Sequence, residues 1–202
     1  MRRLVAMSVL AIAASCASNQ NEPSAGESGI IDAETATKVN AALAGPQRPE
    51  SEKTRDQFRH PLETLSFFGL RDDMTVVEFG PGGGWYTAVL GPVLAKKGRL
   101  VEPITDPTLA DDTPGVKYAR KLVDRMQATP DAYASVQQRY QTPGSFNLGD
   151  AGSADMVVTF RSLHGMSVEE QDQLFAAVYE TLKPGGVFGV EDHRAKDGVA
   201  MD

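Results

Sequence analysis

The sequence predicts an α/β protein built on an open parallel sheet with helices on both faces. Valine-rich apolar runs, such as 74–79 and "ADMVVTF" at Ala154–Phe160, have the look of strands buried on both sides. Helical patterns alternate with them, and that alternation implies parallel strands joined by right-handed crossovers. Glycines cluster where strand gives way to helix, as in "EFGPGGG" at 78–84. At 202 residues the chain has room for one ordinary domain able to bury a core without metals or disulfides.

The first fifty residues are a separate matter. Arg2 and Arg3 precede an apolar stretch at 4–14 that is too short to span a bilayer, the pattern of a secretory signal over 1–16. The protein is therefore expected to be exported to the periplasm. "AASC" resembles a loose bacterial lipoprotein processing site, in which Cys16 becomes the lipidated first residue and tethers the protein to a membrane. An ordinary cleaved signal with an incidental cysteine is the alternative. Cys16 is the only cysteine, so an intrachain disulfide and a cysteine zinc site are excluded, and no metal is expected. Residues 17–50 read as a linker, polar and flexible over 17–29, with a short helix in 30–44 before Gly45 and Pro46. The formal charge is -7, and becomes -9 once Arg2 and Arg3 leave with the signal. Such a chain carries no electrostatic footprint for nucleic acid.

From 51 the pattern becomes regular and is expected to form the domain, 51–202. Phe58, Leu62, Leu65 and Phe68 share one helical face that Pro61 bends or restarts. The run at 74–79 is the first strand. A helix follows over 85–96 with Pro92 as a local conflict, and a second strand over 99–102. Thr113 as cap and Pro114 in the first turn open a helix reaching about Ala128. Val136–Gln141 is a weaker third strand and Ala154–Phe160 a strong fourth. Ser167 and Glu170 have capping-box spacing ahead of a helix through Leu174, Val178 and Leu182. "KPGG" at 183–186 stops it, and 187–191 is the fifth strand. Ligands of such sheets sit beyond the carboxyl ends of the strands.

Gly80, Gly82 and Gly84 occupy one of those ends. Side chains there would keep a ligand from the backbone, and glycine permits turns closed to other residues. A dinucleotide fingerprint needs a small residue at the sixth place from Gly80, where Trp85 stands. The spacing acidic-x-G-x-G-x-G is met in full by Glu78, Gly80, Gly82 and Gly84. It resembles the first motif of the class I S-adenosylmethionine-dependent methyltransferases, a Rossmann-like fold. "LKPGG" and "ADMVVTF" fit the same superfamily. "RHPLETLSFFGL", "GPGGGWYT", "TFRSLHGM" and "VEDHRA" look like a bacterial group of predicted exported methyltransferases, over about 55–195. A merely structural strand-to-helix turn is the alternative.

The resemblance implies S-adenosylmethionine as cofactor and a small-molecule acceptor. It implies that the glycine loop lies along the cofactor, that Glu102 at the end of the second strand binds the ribose, with Asp106 as fallback, and that Asp150 after the third strand serves the adenine. Pro103 departs from the usual pattern, and "GDAGSAD" can also be only a solvated turn. Trp85 and Tyr86 can place aromatic faces near the sulfonium, or pack the helix on the sheet. Methyl transfer needs alignment and exclusion of water more than acid or base. Where an acceptor proton must leave, His164 past the fourth strand and His193 past the fifth are the candidates. His60 is expected in an arm that closes over the cofactor. Arg161 and Arg194 can orient a carboxylate, or bridge to an acid such as Asp192.

Superfamily members continue past the fifth strand with a helix and an antiparallel strand pair, which this sequence lacks. A truncated domain, with an open edge that invites dimer formation, is expected. Two rival readings remain at this level: a non-catalytic protein binding an adenosyl compound or other small metabolite, and a tethered scaffold with a vestigial pocket.

Overall fold

The computed structural model describes residues 31–142, 144–194, 196 and 198. The signal at 1–16 with Cys16, and the tether at 17–29, lie outside the described residues. Four helices open the chain: α1 (Ala33–Ala44), α2 (Glu50–Lys53), α3 (Asp56–Arg59) and α4 (Pro61–Phe67). Strands and helices then alternate as β1 (Thr75–Phe79), α5 (Thr87–Leu94), β2 (Arg99–Thr105), α6 (Pro114–Ala128), β3 (Val136–Gln141), β4 (Ala154–Phe160), α7 (Val168–Thr181) and β5 (Leu182–Glu191). The strands form one sheet in the order β3-β2-β1-β4-β5, every neighbouring pair parallel. β1 therefore lies between β2 and β4, and the chain turns opposite ways on its two sides. That reversal opens a crevice at the carboxyl end of β1.

Alternation within the central strands divides the core. Val76, Leu100, Met156 and Val158 face Val39 of α1, Leu65 of α4 and Val89, Leu90 and Val93 of α5. Val77 and Val157 point the other way, onto Leu174 and Val178 of α7. Ile104 packs with Ala119, Leu122 and Met126 of α6 beside Ala88 of α5. Helix α1 is thus part of the domain rather than of a linker, because Val39 and Ala42 close the outer side of α5.

Several boundaries differ from the sequence reading for physical reasons. His60 sits at φ 44°, in the left-handed region, and Pro61 starts a new helix, so the face expected across 58–68 is broken and Phe58 is 77% exposed. β2 continues to Thr105 rather than ending at Glu102, because Glu102 to Thr105 keep pairing with β3. The β1 register ends at Val101, so the missing N–H of Pro103 costs no bond on that side. α5 is shorter than expected, with Pro92 inside it. β5 starts at Leu182 directly after α7, and 183–186 bulge out between the pairs Ala154↔Leu182 and Met156↔Val187. The caps agree with the reading: Thr113 accepts from Val116 N, and Ser167 and Glu170 bond reciprocally at the start of α7.

Ser167→Ala removes one side of that capping box while Glu170 remains. The expected loss is about 1 kcal/mol of unfolding free energy in urea titration, with an unchanged denaturant slope.

Candidate active site

At the end of β1 the backbone turns left-handed three times, at Gly80 (φ 69°), Gly82 (φ 57°) and Gly84 (φ 83°). The surroundings of the three differ. A Cβ on Gly80 would stand 2.6 Å from Ser162 Oγ, and one on Gly84 2.6 Å from Leu122 Cδ1, so these two are pinned between the β4 exit and α6. A Cβ on Gly82 would meet nothing within 4 Å. Gly82 faces a cavity of about 1050 Å³ bounded by 78–83 on one side and Ile104, Gln141 and Arg161 on others. That is the size class of small-ligand sites.

Beneath the loop lie two buried acids. Glu78 borders the cavity and accepts from Thr87 Oγ1 at 2.9 Å. Burial raises its pKa to about 7, against the opposing effects of Glu102, Thr87 and the charge of Arg125. Glu102 is wholly buried in mid-strand, does not border the cavity, and no other side chain or backbone group donates to either of its oxygens. Burial, then the negative charge of Glu78, push it well above the usual carboxylate range. Glu102 is therefore the member held protonated. Its placement for a ribose at a strand end is not what the structure shows.

Asp106, just past β2, accepts from Thr108 N and Oγ1 at 2.8 and 2.7 Å, and those bonds hold its pKa down. Asp150 is exposed and accepts from Arg139 Nη2 at 3.2 Å. Neither borders the cavity; neutral Thr105, Gln141 and Ser145 do.

Tyr86 lines the cavity with its ring stacked on Phe160, centroids 3.5 Å apart, and its hydroxyl donates to Glu191 Oε2 at 3.5 Å. Burial, then the charge of Glu191, push the phenol well above its ordinary pKa. Trp85 already holds cations: the guanidinium of Arg59 lies 4.4 Å from its ring centroid and that of Arg48 4.8 Å. Arg48 is buried and bonds both carboxylate oxygens of Asp56. Arg55 and Arg59 from this helical arm border the cavity, whereas exposed His60 does not.

Past β4 and β5 the structure brings together His164, His193 and Arg161, as expected, and adds Asp192. His164 Nδ1 and Asp192 Oδ1 are 2.7 Å apart. Asp192 Oδ2 accepts from the backbone of Leu163 and His164, and Oδ1 from the backbone of His193. Burial raises the Asp192 pKa, but these bonds outweigh it and the net shift is downward. Asp192, named from sequence only as an acid to which Arg161 or Arg194 could bridge, orients His164. Arg161 Nη2 is 3.0 Å from His193 Nε2, and the two imidazoles meet edge to face at 4.7 Å. His164, Asp192 and His193 offer ligand atoms within 4.8 Å of one another. Within this group His164 Nδ1 pairs with Asp192 and His193 Nε2 with the Arg161 guanidinium, a hydrogen-bonded cluster. Arg161 and Ser162 border the cavity and the histidines stand beside its rim.

Sequence reasoning missed Arg55, Arg59 and the partnership of Asp192. Their signals, arginines on short helices before β1 and an acid beside His193, are common on solvated surfaces.

Residues 52–202 match the family described as "Methyltransferase domain". No curated protein matches the sequence. Among solved structures, a SAM dependent methyltransferase from Aquifex aeolicus superposes with a TM-score of 0.54 at 20% identity, over 82% of this chain and 77% of that one. An arsenic(III) S-adenosylmethionine methyltransferase from Chlamydomonas reinhardtii does so at 0.50 and 17% identity, over 77% of this chain and 48% of that one. Phosphoethanolamine N-methyltransferase 1 of Haemonchus contortus, in complex with phosphoethanolamine and S-adenosylhomocysteine, gives 0.51 and 17%, over 83% and 36%. At these identities the likeness is one of fold, and the chain spans less than half the length of the last two.

The paired carboxyls set a pH dependence. Folding favours their neutral form, so their contribution is complete below the ordinary carboxyl pKa of 4.5 and is lost as pH rises through about 7. Between pH 5.5 and 8 the wild-type unfolding free energy is expected to fall by on the order of 1–3 kcal/mol from this source. Glu102→Gln supplies a permanent donor to Glu78 and should flatten that fall, as read by urea denaturation at both pH values.

Proposed function

The chain belongs to the methyltransferase domain family, and from that premise we propose that S-adenosylmethionine is its methyl donor and a small molecule its acceptor. The observation that carries this is Gly82: its missing side chain faces open space in a cavity large enough for a nucleoside, at the sheet's switch point. The group fits the residues present. The bare backbone of 80–84 and the ring of Tyr86 would hold it, above the floor made by Glu78. When bound, it supplies a methyl group on a positively charged sulfonium, an already activated leaving group.

The chain's own residues then have two tasks. The first is to align the acceptor and keep water out, which the cavity walls perform. The second is to take a proton from an acceptor that carries one. Asp192 holds His164 through Nδ1, which leaves Nε2 as the proton acceptor at the rim. The resemblance to exported bacterial methyltransferases, the signal pattern of 1–16 and "AASC" support export to the periplasm with lipid attachment at Cys16 as part of the same proposal. Self-association through the edge of β5 is supported by its exposed Val187 and Val190.

Gly82→Leu puts a branched side chain into the cavity and forces it to φ 57°, so calorimetric titration with S-adenosylhomocysteine should show no binding while the thermal transition persists. His164→Ala should keep that binding yet lower transfer of labelled methyl to acceptors in a periplasmic extract by on the order of 10²-fold. Binding without any methyl transfer by the wild type would instead establish a metabolite-binding protein.

A further inference from the structure

The charge around the cavity runs opposite to that of the protein. The chain has a formal charge of -7, yet Arg55, Arg59, Lys121 and Arg161 all border this one space. The two acids that border it are already satisfied. Glu52 receives Arg125 Nη1 and Nη2 at 2.7 and 2.6 Å, and Glu78 accepts from Thr87 Oγ1 at 2.9 Å while burial raises its pKa to about 7. None of the four cations makes an ion pair among the described residues. Arg161 instead faces neutral His193 through Nε and Nη2. The carboxylate of Glu191 accepts from the Tyr86 hydroxyl at 3.5 Å.

Donors outnumber acceptors here as well. Arg59 Nε and Trp85 Nε1 are buried without any hydrogen-bond partner. Burial, and then the positive charges of Arg55 and Arg161, lower the pKa of Arg59 against the opposing effects of Tyr86 and Glu191, so Arg59 feels both of the other two arginines. Arg161 is held at φ 59°, one of two non-glycine residues in the left-handed region, with its N–H bonded to Glu191 O at 2.7 Å. Strain of this kind is retained where the surroundings over-determine a conformation, commonly at binding sites.

We infer that Arg55, Arg59 and Arg161 form an oxyanion subsite, and that the methyl acceptor carries a carboxylate or phosphate group that binds there. The inference rests on the methyltransferase reading. The donor's own carboxylate neutralises at most one of these charges, and the donor adds a sulfonium and an ammonium. A second anion is needed to balance the space, and arginine forks suit planar or tetrahedral oxyanions by paired hydrogen bonds.

The test saturates the full chain with S-adenosylhomocysteine and then titrates inorganic phosphate or acetate by calorimetry at constant ionic strength, with chloride as reference. The expected result is binding of one oxyanion at least about tenfold tighter than chloride, weakened about tenfold or more in Arg161→Gln and only partly restored in Arg161→Lys, which keeps the charge but not the paired hydrogen bonds. The phosphate and acetate arms tell which head group the subsite prefers. Oxyanions no tighter than chloride on loaded wild-type protein overturn the subsite and leave the methyltransferase reading intact. So does binding only to unloaded protein with displacement by S-adenosylhomocysteine, because the arginines then serve the donor's carboxylate. Failure of S-adenosylhomocysteine itself to bind overturns the donor assignment, and the subsite with it.

Discussion

The glycine-rich turn at 80–84, which leads from β1 towards α5, sets the conditions for everything else in this protein. Gly80 and Gly84 are squeezed against Ser162 and Leu122, so the loop is clamped by the β4 exit on one side and by α6 on the other. Between those clamps Gly82 has no neighbour. A left-handed turn at three alternate positions is costly for any residue with a side chain. The chain accepts that restriction in glycine composition and gains a wall of bare backbone at the point where strand order reverses. Were the loop merely a connection, nothing would require the middle glycine to face empty space.

The electrostatics follow from the same placement. Glu78 must sit at the last inward position of β1 to reach the loop, and Glu102 lies beside it one strand over, continuing the register of Val77 and Val101. Two adjacent carboxylates with no outside cation in direct contact cannot both ionise, so one proton remains between them. The floor of the cavity thereby loses negative charge that the composition would suggest it has. The walls gain positive charge from a different source: α3 delivers Arg59 onto the face of Trp85, and the β4 exit delivers Arg161. A cationic space inside an acidic protein is the joint result, and field lines from such a pocket draw anions selectively to it.

The strands were legible because burial on both faces writes itself into composition, as in β4, where only Asp155 and Thr159 interrupt the apolar run. The glycine spacing and both helix caps were legible because their causes are local, a backbone angle or a bond spanning three residues. What escaped is non-local. The extent of β2 depends on its pairing with the polar edge strand β3, so Glu102 moved from strand end to mid-strand burial. The break at His60 could be foreseen from Pro61, but the consequence, an arm that turns Arg59 inward and Phe58 outward, depends on how Arg48 locks Asp56. Asp192 was visible beside His193 in sequence, yet its real partner is His164, on the neighbouring strand's exit.

The histidine cluster assigns its members by hydrogen-bond logic. His193 Nε2 faces the guanidinium of Arg161, a group without any acceptor, so that nitrogen must offer its lone pair and the ring must be neutral. His164 is fixed the opposite way: its Nδ1 donates to a carboxylate held ionised by three backbone N–H groups, which leaves Nε2 as a lone pair. Only one of the two imidazoles is therefore set up to receive a proton. The other hands the orientation of Arg161 back to the cavity, so a single edge-to-face pair of rings separates the work of proton uptake from the work of holding charge.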